Sequence, residues 1–468
     1  MSTEEADLLV LGGGPSGQKA ALEGARAGLR VMLVDREKAA GGECVQHGTI
    51  PSKTLRECAV YLHGLRRRSE GVVDINLPPN LKVASLMRRL RKVLFSYQDV
   101  LSEELERNAI ERRHGRARFI GADEVEVSEP RGNTYRVRAG FILIATGSRP
   151  RRPEGVDVDH EHILDSDSIL SLIYLPRSMT VLGGGVIACE FASVFTALDV
   201  DVTIVDRYPR PLGFLDPELS DGFLRAFESN GGSFLADRRT ASVECDGYEV
   251  VTRLEGGEEL RTEKLLCAQG RVANVDGLVL GAAGLSLTER GHVPVNEFCQ
   301  TAVPHIYAAG DVIGPPALAA TAMEQGRRAV RHALGLELGA EGSLVPAGIY
   351  TIPEIASVGL TEAQARERDG GVSVGRAPFR ELARGQISGN TDGLLKLVCD
   401  AAGRRILGTQ ILGEGATELI HVAQMAMIGG LEVDVFFQNV MNFPTLAEAY
   451  RVAALDVASH RAGLRPAA

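Results

Sequence analysis

Two stretches of this chain repeat one set of groups suited to holding a pyrophosphate. The first runs Gly12-Gly13-Gly14-Pro15-Ser16-Gly17 and is followed by Asp35; the second runs Gly183-Gly184-Gly185-Val186-Ile187-Ala188 and is followed by Asp206. The chemistry asks for these residue types at these places. The first glycine (Gly12, Gly183) permits a tight turn, and the second (Gly14, Gly185) lets the backbone approach an anion. The third position (Gly17, Ala188) must be small so that a helix packs closely on a strand. The N-terminus of that helix presents N–H groups to the anion, and the acid at the end of the next strand is placed to accept hydrogen bonds from a ribose. Gly183 follows Gly12 by 171 residues, and Asp206 follows Asp35 by the same 171. One such turn alone is as readily structural. Two in equal register point to two dinucleotides on one chain, and so to an enzyme that moves electrons between them.

The elements that must position these groups are legible. Residues 7–11, 31–34, 178–182 and 202–205 read as buried parallel strands, with helices between them to about Ala27 and about Leu198. Two further apolar runs end in turns: Phe141 to Ile144 into Ala145-Thr146-Gly147, and Ile306 to Ala309 into Gly310-Asp311. Strand ends of this kind line the crevice of a doubly wound sheet, where Asp311 is better placed for a ligand hydroxyl than for a helix cap.

Composition narrows the classes. The chain has 468 residues, 44% hydrophobic and 24% charged, which excludes a disordered chain. The net charge of −10 argues against a nucleic-acid partner. Arg66-Arg67-Arg68, Arg88 to Lys92 and Arg112-Arg113-His114 are basic runs, but the middle one shares a helical stripe with Leu86, Leu90, Val93, Leu94, Tyr97, Leu101 and Leu105. Its arginines are then the wet face of a helix. Seven cysteines at irregular spacing, without CxxC, indicate neither a disulfide framework nor structural zinc, and the ten histidines show no metal-ligand spacing. No run of 18 apolar residues occurs and the first residues are acidic, so the expectation is a cytoplasmic protein without a membrane partner.

Beyond these features the chain resembles the flavoprotein disulfide reductase family. The resemblance rests on both glycine motifs, GGECVQHGTIPSK (41–53), GRARF (115–119), ATGSRP (145–150), AAGD (308–311), TIPEIASVG (351–359) and NFPTLAEAYRVAA (442–454). It implies an α/β fold with two Rossmann-like domains, for FAD and NAD(P), and a C-terminal α+β dimerisation domain. The implied boundaries are 1–150 (first part of the FAD domain), 151–275 (NAD(P) domain), 276–345 (second part of the FAD domain) and 346–468 (interface domain of a homodimer, higher assembly left open). It places Gly42, Cys44, Lys53, Ala117, Ala145, Thr146, Gly147, Asp311, Ala317, Leu318 and Ala319 at FAD. It places Ala188, Glu190, Asp206, Arg207 and Gly270 at the nicotinamide nucleotide. Lys53, paired with Glu190 beside the flavin, is the implied catalytic element, since a buried lysine needs a partner.

The departures are as informative. Disulfide-reducing members carry Cys-x4-Cys before IPSK; here the sixth residue of Cys44-Val45-Gln46-His47-Gly48-Thr49 is a threonine, which forms no disulfide and no thiolate. They also carry His-Pro near the C-terminus; here it is Phe443-Pro444, with Glu448 retained. Phenylalanine does no acid–base work. Cys44 then reads as an inert neighbour of the flavin rather than a redox thiol, and His47 receives no role. What is kept suffices for hydride transfer, which needs alignment and water exclusion rather than a thiol. The implied activity is FAD-dependent exchange of hydride between NADPH and NAD+, with NAD(H) and NADP(H) taking turns at one site. An NAD(P)H-dependent quinone or diaphorase-type reductase is the alternative, and a flavin-bound binding protein a third reading. Asp206 favours NAD, while Ala188, Arg207 and Arg210 favour NADP, a compromise suited to an enzyme that takes both.

Overall fold

The computed structural model describes residues 3–69, 83–339 and 344–461, with the side chains of 66–69, 83 and 84 left out, so the side chains of Arg66-Arg67-Arg68 lie outside the described residues. The chain divides into two compact units, one of Met1–Thr54, Ala84–Arg151 and Gly270–Glu341, the other of Leu55–Val83, Arg152–Gln269 and Gly342–Ala468. Of the domains expected at 151–275 and 346–468, residues 152–269 and 346–468 fall in the second unit, while Arg151 and 270–275 fall in the first.

In the first unit the parallel strands Glu111–His114, Val31–Asp35, Thr3–Leu11 and Thr134–Ile144 lie side by side, and Ile306–Ala308 adds to the last in parallel. Glu124–Ser128 and Arg116–Phe119 continue the sheet antiparallel. Leu8 to Leu11 are buried on both faces, which is why this stretch reads as an unbroken apolar run rather than an alternation. Helix Pro15–Arg26 packs beside helix Ala319–Ala333. A Cβ on Gly326 would collide with the Ser16 carbonyl, so only glycine allows that approach. The stretches joining this unit to the rest of the chain, Ser148–Pro150 and Arg271–Ala273, pair antiparallel.

The second unit holds a parallel sheet in the order Ser233–Leu235, Asp201–Val205, Ser178–Leu182, Lys264–Cys267, Ile163–Asp165, and a three-stranded antiparallel sheet, Thr240–Cys245, Val250–Leu254 and Glu259–Thr262. Its C-terminal part is a five-stranded antiparallel sheet, from Ala347–Ile349 through Ile355–Gly359, Ile406–Leu412 and Leu394–Asp400 to Val372–Pro378, with helices Ala416–Ile428 and Glu448–Ser459 on it. The α/β class with a C-terminal α+β part is as expected. Among the described residues, no helix is long and apolar enough to cross a membrane.

A buried ion cluster joins the two parts of this unit. Lys396 Nζ donates to Asp216 Oδ2 (2.9 Å) and Glu218 Oε1 (2.6 Å) and lies 2.9 Å from Glu362 Oε2. Arg376 grips Glu218 from outside. Asp216 also caps helix Pro217–Ser229 by accepting from Glu218 N. The Lys396 and Asp216 side chains are 2% and 1% exposed, so neither tolerates losing its partner.

Lys396→Ala should therefore cost about 3–5 kcal/mol in denaturant unfolding; a loss below about 1 kcal/mol would contradict the cluster's role. Arg376, then Lys396, hold the Glu218 carboxyl at about 2 against the opposing effect of burial. Its folded pKa lies below the ordinary 4.5, so its contribution is complete above that value and is lost as pH falls toward 2. Stability measured from neutral pH into this range should fall less steeply in Glu218→Gln, and equal slopes would refute the assignment.

Candidate functional site: two glycine loops and a thiol

The two loops are built alike. Gly12 and Gly183 both adopt φ +109. A Cβ on Gly12 would meet the Ala145 carbonyl, and one on Gly183 the Ala268 carbonyl. Each first glycine thus passes hard against the end of the next parallel strand, in a backbone region that disfavours side chains. Gly14 and Gly185 begin the helices with extended φ near −80 and no side-chain cap, and a Cβ on either would meet nothing within 4 Å. Space and uncapped N–H groups coincide there, as an anion requires. On Gly17 a Cβ would collide with the Gly12 carbonyl, while Ala188 sits fully buried, so the second loop has room for a methyl that the first lacks.

The sequence pattern treats the position after the first glycine as variable, yet the structure makes Gly13 and Gly184 as constrained as their neighbours. Asp35 Oδ2 accepts from Gly13 N (2.5 Å), and a Cβ on Gly13 would stand 2.7 Å from that oxygen. Asp206 lies against Gly184 in the same way. The signal was available as the middle glycine of three consecutive ones in both copies. Burial raises the pKa of both carboxyls, and backbone donors hold it down in part. Asp35 Oδ1 takes the N–H of Glu37, and Asp206 Oδ1 that of Arg207, each at 2.8 Å.

Around the first loop, a Cβ on Gly42 (φ +56) would lie 2.6 Å from Gly14 Cα, so the start of helix Gly42–Gln46 crosses the first loop closely. Ala145 N donates to the Leu11 carbonyl. Thr146 Oγ1 is buried and meets no partner among the described residues. The Thr146 and Gly147 carbonyls both accept from Asn274. Asp311 accepts from Ser148 Oγ (2.6 Å), which accepts from Arg271 Nε (2.8 Å); Arg271 also reaches Glu43. Ser148, Arg271 and Asn274 escaped the sequence reading, because their partners lie more than a hundred residues away and their types are ordinary. Leu318 precedes helix Ala319–Ala333 without a side-chain cap, and Ala317 is exposed beside it. Ala117 pairs with Val127 in the antiparallel strands, two residues beyond Gly115, whose N–H reaches the Asp35 carbonyl.

Cys44 sits within helix Gly42–Gln46, with its thiol hydrogen-bonded to Thr49, the residue in the second-cysteine position. Burial pushes the thiol pKa up, more than Thr49 and Lys53 pull it down, and Asp311 adds to the rise. The group is a thiol at neutral pH, not a thiolate. Lys53 Nζ lies 3.4 Å from Ser52 Oγ near the start of helix Thr49–Ser69. His47 meets Glu43 at 3.4 Å.

In the second unit Glu190 is buried in helix Val186–Ala197 and accepts from Tyr350 N (2.8 Å). Arg207 lies over the Tyr208 ring, 4.8 Å from its centroid. Arg210 is tied to Asp221 at 2.5 Å, and Arg207 donates to the Tyr208 hydroxyl at 2.9 Å. Gly270 belongs to the first unit; it adopts φ +105, and its carbonyl accepts from Arg151 N.

The model of the pyridine nucleotide-disulphide oxidoreductases matches residues 6–326, and that of their dimerisation domain residues 345–454. The chain is 42% identical to the soluble pyridine nucleotide transhydrogenase of Mycobacterium bovis, over 97% of each chain. It is 39% identical to that of Colwellia psychrerythraea, over 96% of this chain and 97% of the other. A crystal structure of LpdA from Mycobacterium tuberculosis superposes with a TM-score of 0.89 at 27% identity, covering 97% of this chain and 99% of that one.

Alkylation of Cys44, followed residue by residue by mass spectrometry as pH rises, should stay slow until above the ordinary thiol range. Fast modification at neutral pH would show a thiolate and contradict the burial argument.

Proposed function

We propose that this chain, which belongs to the pyridine nucleotide-disulphide oxidoreductase family, binds FAD at its first glycine loop and exchanges hydride between NADPH and NAD+ through its second. The observation that carries this reading is the pairing of two intact nucleotide loops with a Cys44 whose neighbour is the Thr49 hydroxyl. Relatives bearing the name transhydrogenase, at 39–42% identity, agree with it. The first loop fits a dinucleotide by three features: the unpartnered Thr146 hydroxyl, the open approach over Gly14, and the uncapped helix behind it.

Bound FAD supplies a two-electron hydride acceptor and donor. The chain supplies the rest. The N-terminus of helix Pro15–Arg26 would hold the pyrophosphate, and Asp35 and Asp311 would accept from sugar hydroxyls. Gly183, Gly185 and Ala188 do for the nicotinamide nucleotide what the first loop does for FAD. Asp206 accepts from a 2′-hydroxyl and repels a 2′-phosphate, while Arg207 beside it offsets that repulsion, so both nucleotides are admitted. Lys53 places positive charge at the flavin, and Glu190 anchors the nicotinamide side. No protein acid or base is needed, in keeping with Phe443 where disulfide-reducing members have histidine. The dimerisation-domain match and the exposure of Met425, Ile428, Val440 and Phe443 in that stretch support a homodimer, which sedimentation at two chain masses would establish.

In anaerobic stopped-flow mixing, NADPH should bleach the flavin and NAD+ restore it. Failure of NAD+ to reoxidise the protein, or quinone turnover far above that with NAD+, would overturn the proposal. In the same assay Lys53→Ala should keep FAD but slow its reduction about tenfold or more. Asp206→Ala should shift preference toward NADP(H) about tenfold; unchanged rates would remove each residue from its role.

A further inference from the structure

We infer that Asp159, His162 and Cys245, none of them a residue of either nucleotide loop, form a binding site for one thiophilic divalent cation of the zinc class. Asp159 and His162 are three residues apart, but Cys245 lies 83 residues further on, which is why spacing did not reveal the set. Asp159 and His162 lie on the turn leading into strand Ile163–Asp165, and Cys245 ends strand Thr240–Cys245; all three belong to the second unit. One ligand atom from each lies within 4.8 Å of the other two. Thiolate, imidazole and carboxylate together are a zinc-type donor set.

The carboxylate is already organised for the task. Asp159 Oδ1 accepts from the N–H groups of Glu161, His162 and Ile163 at 2.8, 2.7 and 2.8 Å. That oxygen is saturated, leaving Oδ2, which stands 3.9 Å from His162 Nδ1. Such hydrogen bonds behind a ligand fix its orientation before metal arrives. One of them comes from the backbone of His162, so two of the ligands are locked to each other.

Cys245 is the exposed cysteine among the described residues. An exposed thiol gives up its proton to solvent when a cation binds. Tetrahedral zinc with these ligands needs donor separations of about 3.3–3.8 Å, against the 4.8 Å within which the three atoms now lie, so binding draws them together. Water completes the fourth position. The bound cation ties the turn before Ile163, which enters the parallel sheet, to the antiparallel pair Thr240–Cys245 and Val250–Leu254. It stabilises this unit by mass action.

The test uses metal-stripped, FAD-loaded full-length protein dialysed against Zn2+, with metal and protein assayed together and the zinc environment read by X-ray absorption. One zinc per chain with a single sulfur neighbour is expected. Cys245→Ser and His162→Gln should each weaken binding at least tenfold, while hydride-transfer turnover of metal-free Cys245→Ser matches the parent. Equal zinc retention by the parent and Cys245→Ser would overturn the site, whether both bind adventitiously elsewhere or neither binds. So would a zinc shell without sulfur.

Discussion

Everything in this molecule depends on how closely the backbone passes the end of a parallel strand. At Gly12 and Gly183 the chain turns against a neighbouring carbonyl with no room for a side chain. At Gly13 and Gly184 a carboxylate occupies the space a side chain would fill. Those two contacts fix where each helix begins, and hence where its uncapped N–H groups point. The ligand end of each sheet is therefore set by four missing side chains and two acids, not by any large group.

The same fold in its disulfide-reducing form would need a thiol pair. Here Cys44 is half-buried, hydrogen-bonded to Thr49 and protonated, and Phe443 carries no titratable group. Both changes remove proton and thiol chemistry, and neither touches the loops. On the proposed reading, the protein keeps two nucleotide sites and loses the route by which electrons would leave for a disulfide. Transfer between nucleotides is what such a protein can still do.

Much of this was legible in the residues, for definite reasons. A positive φ beside a strand end leaves a glycine, and the next strand ends in an acid about twenty residues on, so the loop turns and the strand-end positions of Asp35 and Asp206 could be read directly. The Thr49 substitution was legible because its register with Ile50-Pro51-Ser52-Lys53 is unambiguous. The clamp of Ser148, Arg271, Asn274 and Asp311 was not, since each pair joins remote segments through common residue types. Lys396 was hidden differently. In Leu394-Leu395-Lys396-Leu397 a lysine reads as the wet face of a strand, yet both faces are buried and its charge is met by Asp216, Glu218 and Glu362. That ion cluster also explains why two stretches expected as separate domains share one compact unit.

The central claim is that electrons reside on the flavin alone, with no protein disulfide beside it. Anaerobic reductive titration counts them. The account predicts complete flavin reduction by two electrons per chain, with both recovered by NAD+. Uptake of four electrons per chain, or a thiolate–flavin charge-transfer band appearing after the first two, would contradict it.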